Sequence, residues 1–433
     1  MLFDTPYTCY LYSYPHKTAY RELPQPVGLA QAIAGRRRDE AHLYMHIPFC
    51  QTRCGYCNLF TTVGTEPGDY LRALRQHARD WYEAGAAEAF RFLSFAIGGG
   101  TPLLLDAPQL ETLFDTARTF FRVDTARIPV SVETAPRQTT PEKIAVLRRN
   151  RVHRVSIGVQ SFDADELKTL GRSHSPEAAR QALELLAAAG FASLNIDLIY
   201  GIPAQTHESF LRSLEQALSF GPQELFLYPL YIRPHTALAR TETALRQQHA
   251  HTLRLYRAGR DFLLERGFVQ TSMRHFARCA GEEEKAPEFS CSEENMISVG
   301  CGGRSYIGNL HFSEPYAVEQ PGCRRILRAY TERGRYTEAR YGFVLSETEL
   351  KRRFVMKNLL YYKGLDSQLY AAAFGSLPEE DFPLLPTLQA EGLCLYAGGC
   401  WRLTPEGTAY SDAIGPAFIS EEVKQRMEKW KEA

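Results

Sequence analysis

No stretch of this chain reaches the roughly 18–20 consecutive apolar residues that a helix needs to cross a bilayer, so no membrane span is expected. The opening residues, Met1 to Pro6, lack the basic and apolar regions of a secretory signal, and a cytoplasmic location is the expectation. An excess of one charge is lacking too. Lys+Arg and Asp+Glu number 50 each, so no global field draws the chain to nucleic acid or to an anionic membrane. The one tight basic run, Arg36 to Arg38, is followed at once by Asp39 and Glu40 and reads as a solvated linker. There is no internal repeat and no low-complexity tract. Ten cysteines in 433 residues are too sparse for a disulfide framework, and in a reducing compartment three of them at close spacing suggest metal. Hydrophobic content of 44% and charged content of 23% are ordinary, and the length leaves room for one large domain and a smaller one.

The aromatic residues are concentrated at the start. Tyr7, Tyr10, Tyr12, Tyr14 and Tyr20 fall within the first twenty positions, and residues 1–40 read as an extended leader packed on the main domain. The same leader carries His16, Lys17 and Arg21, a mixture suited either to packing or to an anionic aromatic substrate.

From 41 to 240 the pattern alternates between short β-branched or aromatic runs and longer amphipathic ones. Strands are predicted at Leu43–Phe49, Arg91–Ile97, Ile128–Glu133, Arg154–Gln160, Leu194–Tyr200 and Leu225–Ile232. Helices are predicted at Asp69–Ala86, Pro108–Phe121, Pro141–Asn150, Pro176–Ala189 and His207–Phe220, several opening with Asp, Thr-Pro or Ser-Pro. Six such repeats predict an α/β fold with a parallel sheet curved into a partial (β/α)6 barrel, whose chemistry belongs at the C-terminal mouth. A long helix is predicted over Thr241–Arg266, and the stretch to residue 344 reads as irregular. Residues 345–433 read as a small α+β domain of winged-helix type. It is not basic enough for DNA binding and is expected to act as a lid.

The central signal is Cys50, Cys54 and Cys57, spaced Cys-x3-Cys-x2-Cys directly after the first strand. Thiolates bind iron in cubane clusters, and three rather than four leave one iron open for a ligand. A zinc site or three buried thiols are the alternatives, but no nearby fourth ligand completes a structural zinc site. Other strand ends carry polar groups. Gly98, Gly99 and Gly100 precede Thr101, and consecutive glycines let a backbone approach a ligand closely. Glu133 ends the third strand and Gln160 the fourth; Arg172 follows the fourth, and Asp197 lies in the fifth. A carboxylate or amide can bond ribose hydroxyls, and an arginine can pair with a carboxylate.

Taken together, YMHIPFC (44–50), GGGTP (98–102), SIGVQSF (156–162), LGRSH (170–174) and NIDLIYGIP (195–203) resemble the anaerobic coproporphyrinogen III oxidase-like radical S-adenosylmethionine (SAM) family. The likeness runs from about residue 40 to 240. It continues weakly through CGGRSY (301–306) and LTPEG (403–407). What it implies is a [4Fe–4S] cluster on Cys50, Cys54 and Cys57, chelated by SAM, whose reductive cleavage gives a 5′-deoxyadenosyl radical. It further implies that Tyr44, the glycine loop with Gly99, Gly100 and Thr101, and Glu133, Gln160, Arg172 and Asp197 contact SAM, with Tyr44 in the catalytic set. The expected partners are a small-molecule or peptide substrate and an electron donor such as flavodoxin or ferredoxin, acting on a monomer. Two departures bear on the activity. Leu59 stands where the porphyrinogen oxidases carry a fourth cysteine, and residues 289–296 do not carry the heme-chaperone motif. An oxidoreductase of unknown substrate, a heme carrier and a methyltransferase using a second SAM all stay open on the sequence. An auxiliary cluster on Cys279, Cys291, Cys301 and Cys323 is not expected, because their spacing is loose.

Overall fold

The computed structural model of the chain describes residues 2–10, 13–240, 249–278 and 295–431. Its centre is a run of parallel strands in chain order: β1 (Asp39–Ile47), β2 (Phe90–Gly99), β3 (Val130–Thr134), β4 (Arg154–Gln160), β5 (Ser193–Tyr200) and β6 (Glu224–Pro229). The helices between them are α1 (Gly68–Glu83), α2 (Ala107–Phe121), α3 (Pro141–Arg149), α4 (Pro176–Ala189) and α5 (His207–Leu218). The helix starts that the sequence marks are capped as expected. Asp106, Thr140, Ser175 and Thr206 each accept a hydrogen bond from a first-turn backbone N–H of α2, α3, α4 and α5.

Period-two alternation sorts each strand into two faces. Leu43, Met45, Ile47, Phe95, Ile97, Val130, Val132, Val155, Ile157, Ile196 and Leu198 are buried against the helix layer. The opposite face carries Tyr44 and His46 on β1, Glu133 on β3, Ser156 and Gln160 on β4, and Asn195 and Asp197 on β5. Register aligns these positions across the sheet: Glu133 pairs with Ser156, and Ser156 with Asn195. The sheet is therefore a partial (β/α)6 barrel whose apolar half meets the helices and whose polar half faces inward.

Among its described residues the stretch from 267 to 344, irregular by sequence, carries six strands and a helix at Gln320–Glu332. A strand at Asn295–Val299 pairs in parallel with β1. Beyond it, Arg304–Ile307, Leu310–Ser313 and Glu338–Val344 add antiparallel strands. The leader strand Arg21–Gly28 closes that edge of a thirteen-stranded sheet. At the other edge β6 pairs with His275–Arg278, which pairs with Phe268–Gln270. Most of these strands span three to five residues, too few for alternation to show in sequence. The described part of the long helix is His249–Leu264; residues 241–248 lie outside the described residues.

The tail is an α+β unit of winged-helix type, with strands Leu365–Asp366, Cys394–Ala397 and Cys400–Leu403 in one small sheet. It packs on the leader. The backbone N–H groups of Thr8 and Cys9 donate to the Asp412 carbonyl at 3.3 and 3.1 Å, and the Tyr14 hydroxyl donates to Glu349. Among the described residues no helix is long and apolar enough to cross a membrane.

Candidate functional site

The three cysteines follow β1 on a loop closed by a short parallel pairing of Phe49–Cys50 with Thr62–Val63. Several bonds fix its shape. The Gly55 N–H donates to the Leu170 carbonyl at 2.9 Å, the Leu238 N–H donates to the Gly55 carbonyl at 2.7 Å, and Arg53 Nη2 donates to the Cys57 carbonyl at 3.1 Å. Cys50, Cys54 and Cys57 are half-buried and in no disulfide. Burial pushes the Cys50 thiol up to about 12, and it raises Cys57 as well, with the neighbouring Cys54 charge adding to the effect. Thiols so placed give up their protons when a metal takes them. Among the described residues no group of three or more His, Cys, Asp or Glu side chains is arranged round a single ion. A cubane does not ask for that, because each sulfur binds a different iron.

The glycine triplet packs against this loop. A Cβ on Gly100 would stand 2.6 Å from the Phe49 carbonyl oxygen and 3.0 Å from Cys50 Sγ. Gly99 adopts φ +120°, and a Cβ there would strike the His46 ring at 2.7 Å, so both positions demand glycine. Their N–H groups are already engaged: Gly99 donates to Glu133 Oε2 at 3.0 Å, Gly100 to the Ile47 carbonyl at 2.8 Å, and Thr101 to the Phe49 carbonyl at 2.8 Å. The Thr101 hydroxyl also donates to Cys50 Sγ at 3.7 Å.

On β1, Tyr44 Oη lies 3.1 Å from His46 Nδ1, and His46 Nε2 lies 3.1 Å from the Phe60 carbonyl. A carbonyl only accepts, so Nε2 carries the proton and Nδ1 accepts from Tyr44. Burial holds His46 down to about 4, which keeps the imidazole neutral. Tyr44, next to the cysteine loop, is thus oriented by a histidine that the sequence quotes but to which it assigns no role.

Glu133 and Asp197 form an acidic wall. Glu133 lies deep among protein atoms, yet its side chain is open to the space at the mouth. Burial raises it to about 7; the Gly99 N–H opposes that rise, and the Asp197 charge adds to it. Asp197 is raised to about 6, again by burial first. Asn195 Nδ2 donates to Asp197 Oδ1 at 2.7 Å and to Ser156 Oγ at 2.7 Å, and Ser156 Oγ donates to Asp197 Oδ2 at 3.4 Å. Asn195 Oδ1 is buried with no hydrogen-bond partner among the described residues. Ser156 and Asn195 are site residues that sequence reading passes over. Their signal is polar side chains at alternate positions of otherwise apolar strands.

Arg172 reaches back to the cysteine loop. Its Nη1 donates to Cys54 Sγ at 3.2 Å, Nη2 donates to the Gly158 carbonyl, and Nε is buried with no hydrogen-bond partner among the described residues. Gln160 stands at the β4 bulge with φ +73°, a conformation that non-glycine residues adopt rarely and chiefly at functional positions. Cys50, Cys54, Cys57, Tyr44, Gly99, Gly100, Thr101, Glu133, Gln160, Arg172 and Asp197 all belong to the mouth. Cys301 and Cys323 are buried elsewhere in the core, and Cys279 and Cys291 lie outside the described residues.

A fold of this kind with three cysteines after its first strand defines a radical SAM protein. The radical SAM superfamily model matches residues 44–217, and the HemN C-terminal domain model matches 345–410. The chain is 28% identical to the heme chaperone HemW of Escherichia coli, over 88% of this chain and 98% of that protein. It is 30% identical to HemW of Lactococcus lactis, over 62% and 70% respectively. Among solved structures, the coproporphyrinogen III oxidase HemN of Escherichia coli superposes with a TM-score of 0.81 at 25% identity, covering 94% of this chain and 96% of that one. This chain belongs to the coproporphyrinogen III oxidase-like radical SAM family, as a divergent member.

Proposed function

We propose that this protein is a radical SAM oxidoreductase that holds a [4Fe–4S] cluster on Cys50, Cys54 and Cys57 and binds SAM between that loop and the acidic wall. Held there, such a cluster would supply the one-electron reduction of SAM to methionine and a 5′-deoxyadenosyl radical, with the electron drawn from a donor such as flavodoxin or ferredoxin. The residues fit that pair of groups. Three half-buried thiols share one loop, and Arg172 brings a buried, unpartnered N–H to the loop's edge, suited to the methionine carboxylate. Glu133 and Asp197 offer acceptors to ribose hydroxyls and negative charge to the sulfonium. Ser156 and Asn195 hold Asp197 in place, and His46 holds Tyr44. The observation that carries the reading is the convergence of Arg172 on Cys54, with both raised carboxylates behind it.

A second reading is heme carriage, favoured by the relatives named heme chaperone. The histidines on hand do not support it. His235 faces Glu319 at 3.3 Å, and His275 lies 2.7 Å from Thr271 Oγ1 and 3.2 Å from Glu224 Oε2. His311 is fully buried against Tyr306.

Strictly anaerobic, reduced protein given SAM should release 5′-deoxyadenosine and methionine slowly, and added heme should give no histidine-dependent one-to-one Soret complex. Tight stoichiometric heme binding with no deoxyadenosine would replace this reading with carriage.

A further inference from the structure

A cavity of about 360 Å³ opens between helix α1, the leader strand and the strand Glu338–Val344. One of its walls is the turn from Gly300 to Gly303. The other side of that turn meets the barrel mouth. A Cβ on Gly302 would stand 2.4 Å from His46 Nε2, and one on Gly303 would stand 3.3 Å from Tyr44 Cδ1. A strip of glycine backbone therefore divides the cavity from the mouth, and the cavity is a separate space.

His77 of α1 lines the same space. The Gly300 N–H donates to His77 Nδ1 at 3.4 Å, and Tyr330 Oη lies 3.1 Å from that nitrogen. A backbone N–H only donates, so Nδ1 accepts and the ring proton sits on Nε2. Burial holds His77 down to about 3, with the Arg333 charge adding to the effect, and the ring is neutral. Parallel stacking on Tyr336, with ring centres 4.8 Å apart, fixes its orientation. Among the described residues Nε2 has no hydrogen-bond partner. The charged groups of the lining are mostly paired. Glu314 accepts from both Nη atoms of Arg333, at 2.7 and 2.6 Å, and Glu338 accepts from Arg340 at 2.8 Å. Glu22 of the leader has no ion-pair partner among the described residues. The lining thus holds one carboxylate more than it holds guanidinium groups, beside a neutral imidazole. Leu23, Pro26, Phe312 and Pro315 supply its apolar surface.

We propose that this cavity is a second binding site, for a small organic amine whose ammonium end faces Glu22 and whose hydrogen-bond acceptor takes the His77 Nε2 proton. An anion would meet the surplus carboxylate, and a wholly apolar body would leave the imidazole N–H unpaired. The size suits a small ligand. The site is independent of the cluster, since none of the groups it uses lies in the cysteine loop.

The test is a calorimetric titration of the full-length protein with tyramine, whose phenol oxygen and ammonium group stand at opposite ends of one ring. Low ionic strength keeps screening weak. The analogues para-ethylphenol and para-hydroxyphenylacetate carry the same ring with a neutral and an anionic tail. Saturable one-to-one binding of tyramine is expected, with para-ethylphenol about two- to fivefold weaker and the acetate weaker still. Glu22→Gln should remove the preference for tyramine over para-ethylphenol, and because Glu22 is exposed this variant tests the site even should a change at His77 disturb folding. His77→Phe should weaken both ligands about two- to tenfold. Saturating SAM should leave the tyramine site open to titration. The proposal is overturned if wild type shows no saturable tyramine binding, if the acetate binds as tightly as tyramine, or if the preference survives in Glu22→Gln. Displacement of tyramine by SAM would also overturn it, by placing the probe in the mouth.

Discussion

Two sides of the barrel mouth carry opposite charge. On β3 and β5, Glu133 and Asp197 face inward, and burial raises both toward neutrality. On the leader, Lys17 is buried over the Tyr316 ring, with Arg304 the cation acting on it. The acidic wall is built by strand periodicity and is stiffened by Asn195 and Ser156. The surroundings of Lys17 are built by topology, from segments far apart in the chain. Between them lies the cysteine loop. A cationic sulfonium suits the acidic side.

Not every buried cation lacks a carboxylate. Arg274 is buried, stacks 3.8 Å over Tyr10 and pairs with Asp412 of the tail, which also accepts from the Tyr231 hydroxyl. The largest expected effect breaks that contrast. Asp412→Ala strands a buried guanidinium and should cost about 3–5 kcal/mol of unfolding free energy, read from the urea midpoint. Lys17→Met, which removes a buried charge with no carboxylate beside it, should cost nothing and should gain roughly 1 kcal/mol. Equal losses in the two variants would erase the distinction between the paired and the unpaired cation.

Next in size is Arg172→Ala. It removes the cation that ties the Gly158 carbonyl of β4 to Cys54 of the cysteine loop, and SAM affinity should fall by about 1.5–3 kcal/mol by calorimetry while iron content holds. Unchanged affinity would move the SAM carboxylate to another cation.

The smallest effect is on pH dependence. Glu133 and Asp197 have folded-state pKa values, about 7 and about 6, above those of the unfolded chain. The folded form therefore holds their protons more tightly. The stability they contribute is complete at low pH and is lost as pH rises through 6 to 7. The thermal midpoint of ligand-free protein should decline between pH 5 and 8, and Glu133→Gln should soften that decline. SAM, which favours the ionised carboxylates, should bind more tightly at pH 8 than at pH 6. A flat SAM profile would disconnect the acidic wall from the sulfonium.

The acidic side was far more legible in sequence than the basic one. Arg154–Gln160 and Pro176–Ala189 were bounded correctly, because a β-branched run and a Ser-Pro start leave little latitude. Glu133 and Asp197 stand where a polar residue interrupts an apolar strand. The glycine triplet was legible as a close approach, but what approaches is the protein itself: His46, Glu133 and the cysteine loop fill the space. The strands between 267 and 344 were missed, because most span only three to five residues, show no period and take their register from β1, from β6 and from one another. The surroundings of the leader were hidden for a further reason: Lys17 meets Tyr316, and Ser13 meets Arg304, only once segments far apart in the chain have folded together.

Iron analysis after anaerobic reconstitution, run side by side on wild type and on the variant with Cys50, Cys54 and Cys57 changed to Ala, tests the central claim most directly. The wild type should hold about four irons per chain, with broad visible absorbance that a reductant bleaches, and the triple variant should hold none. A full complement of iron in the triple variant would contradict the cluster assignment.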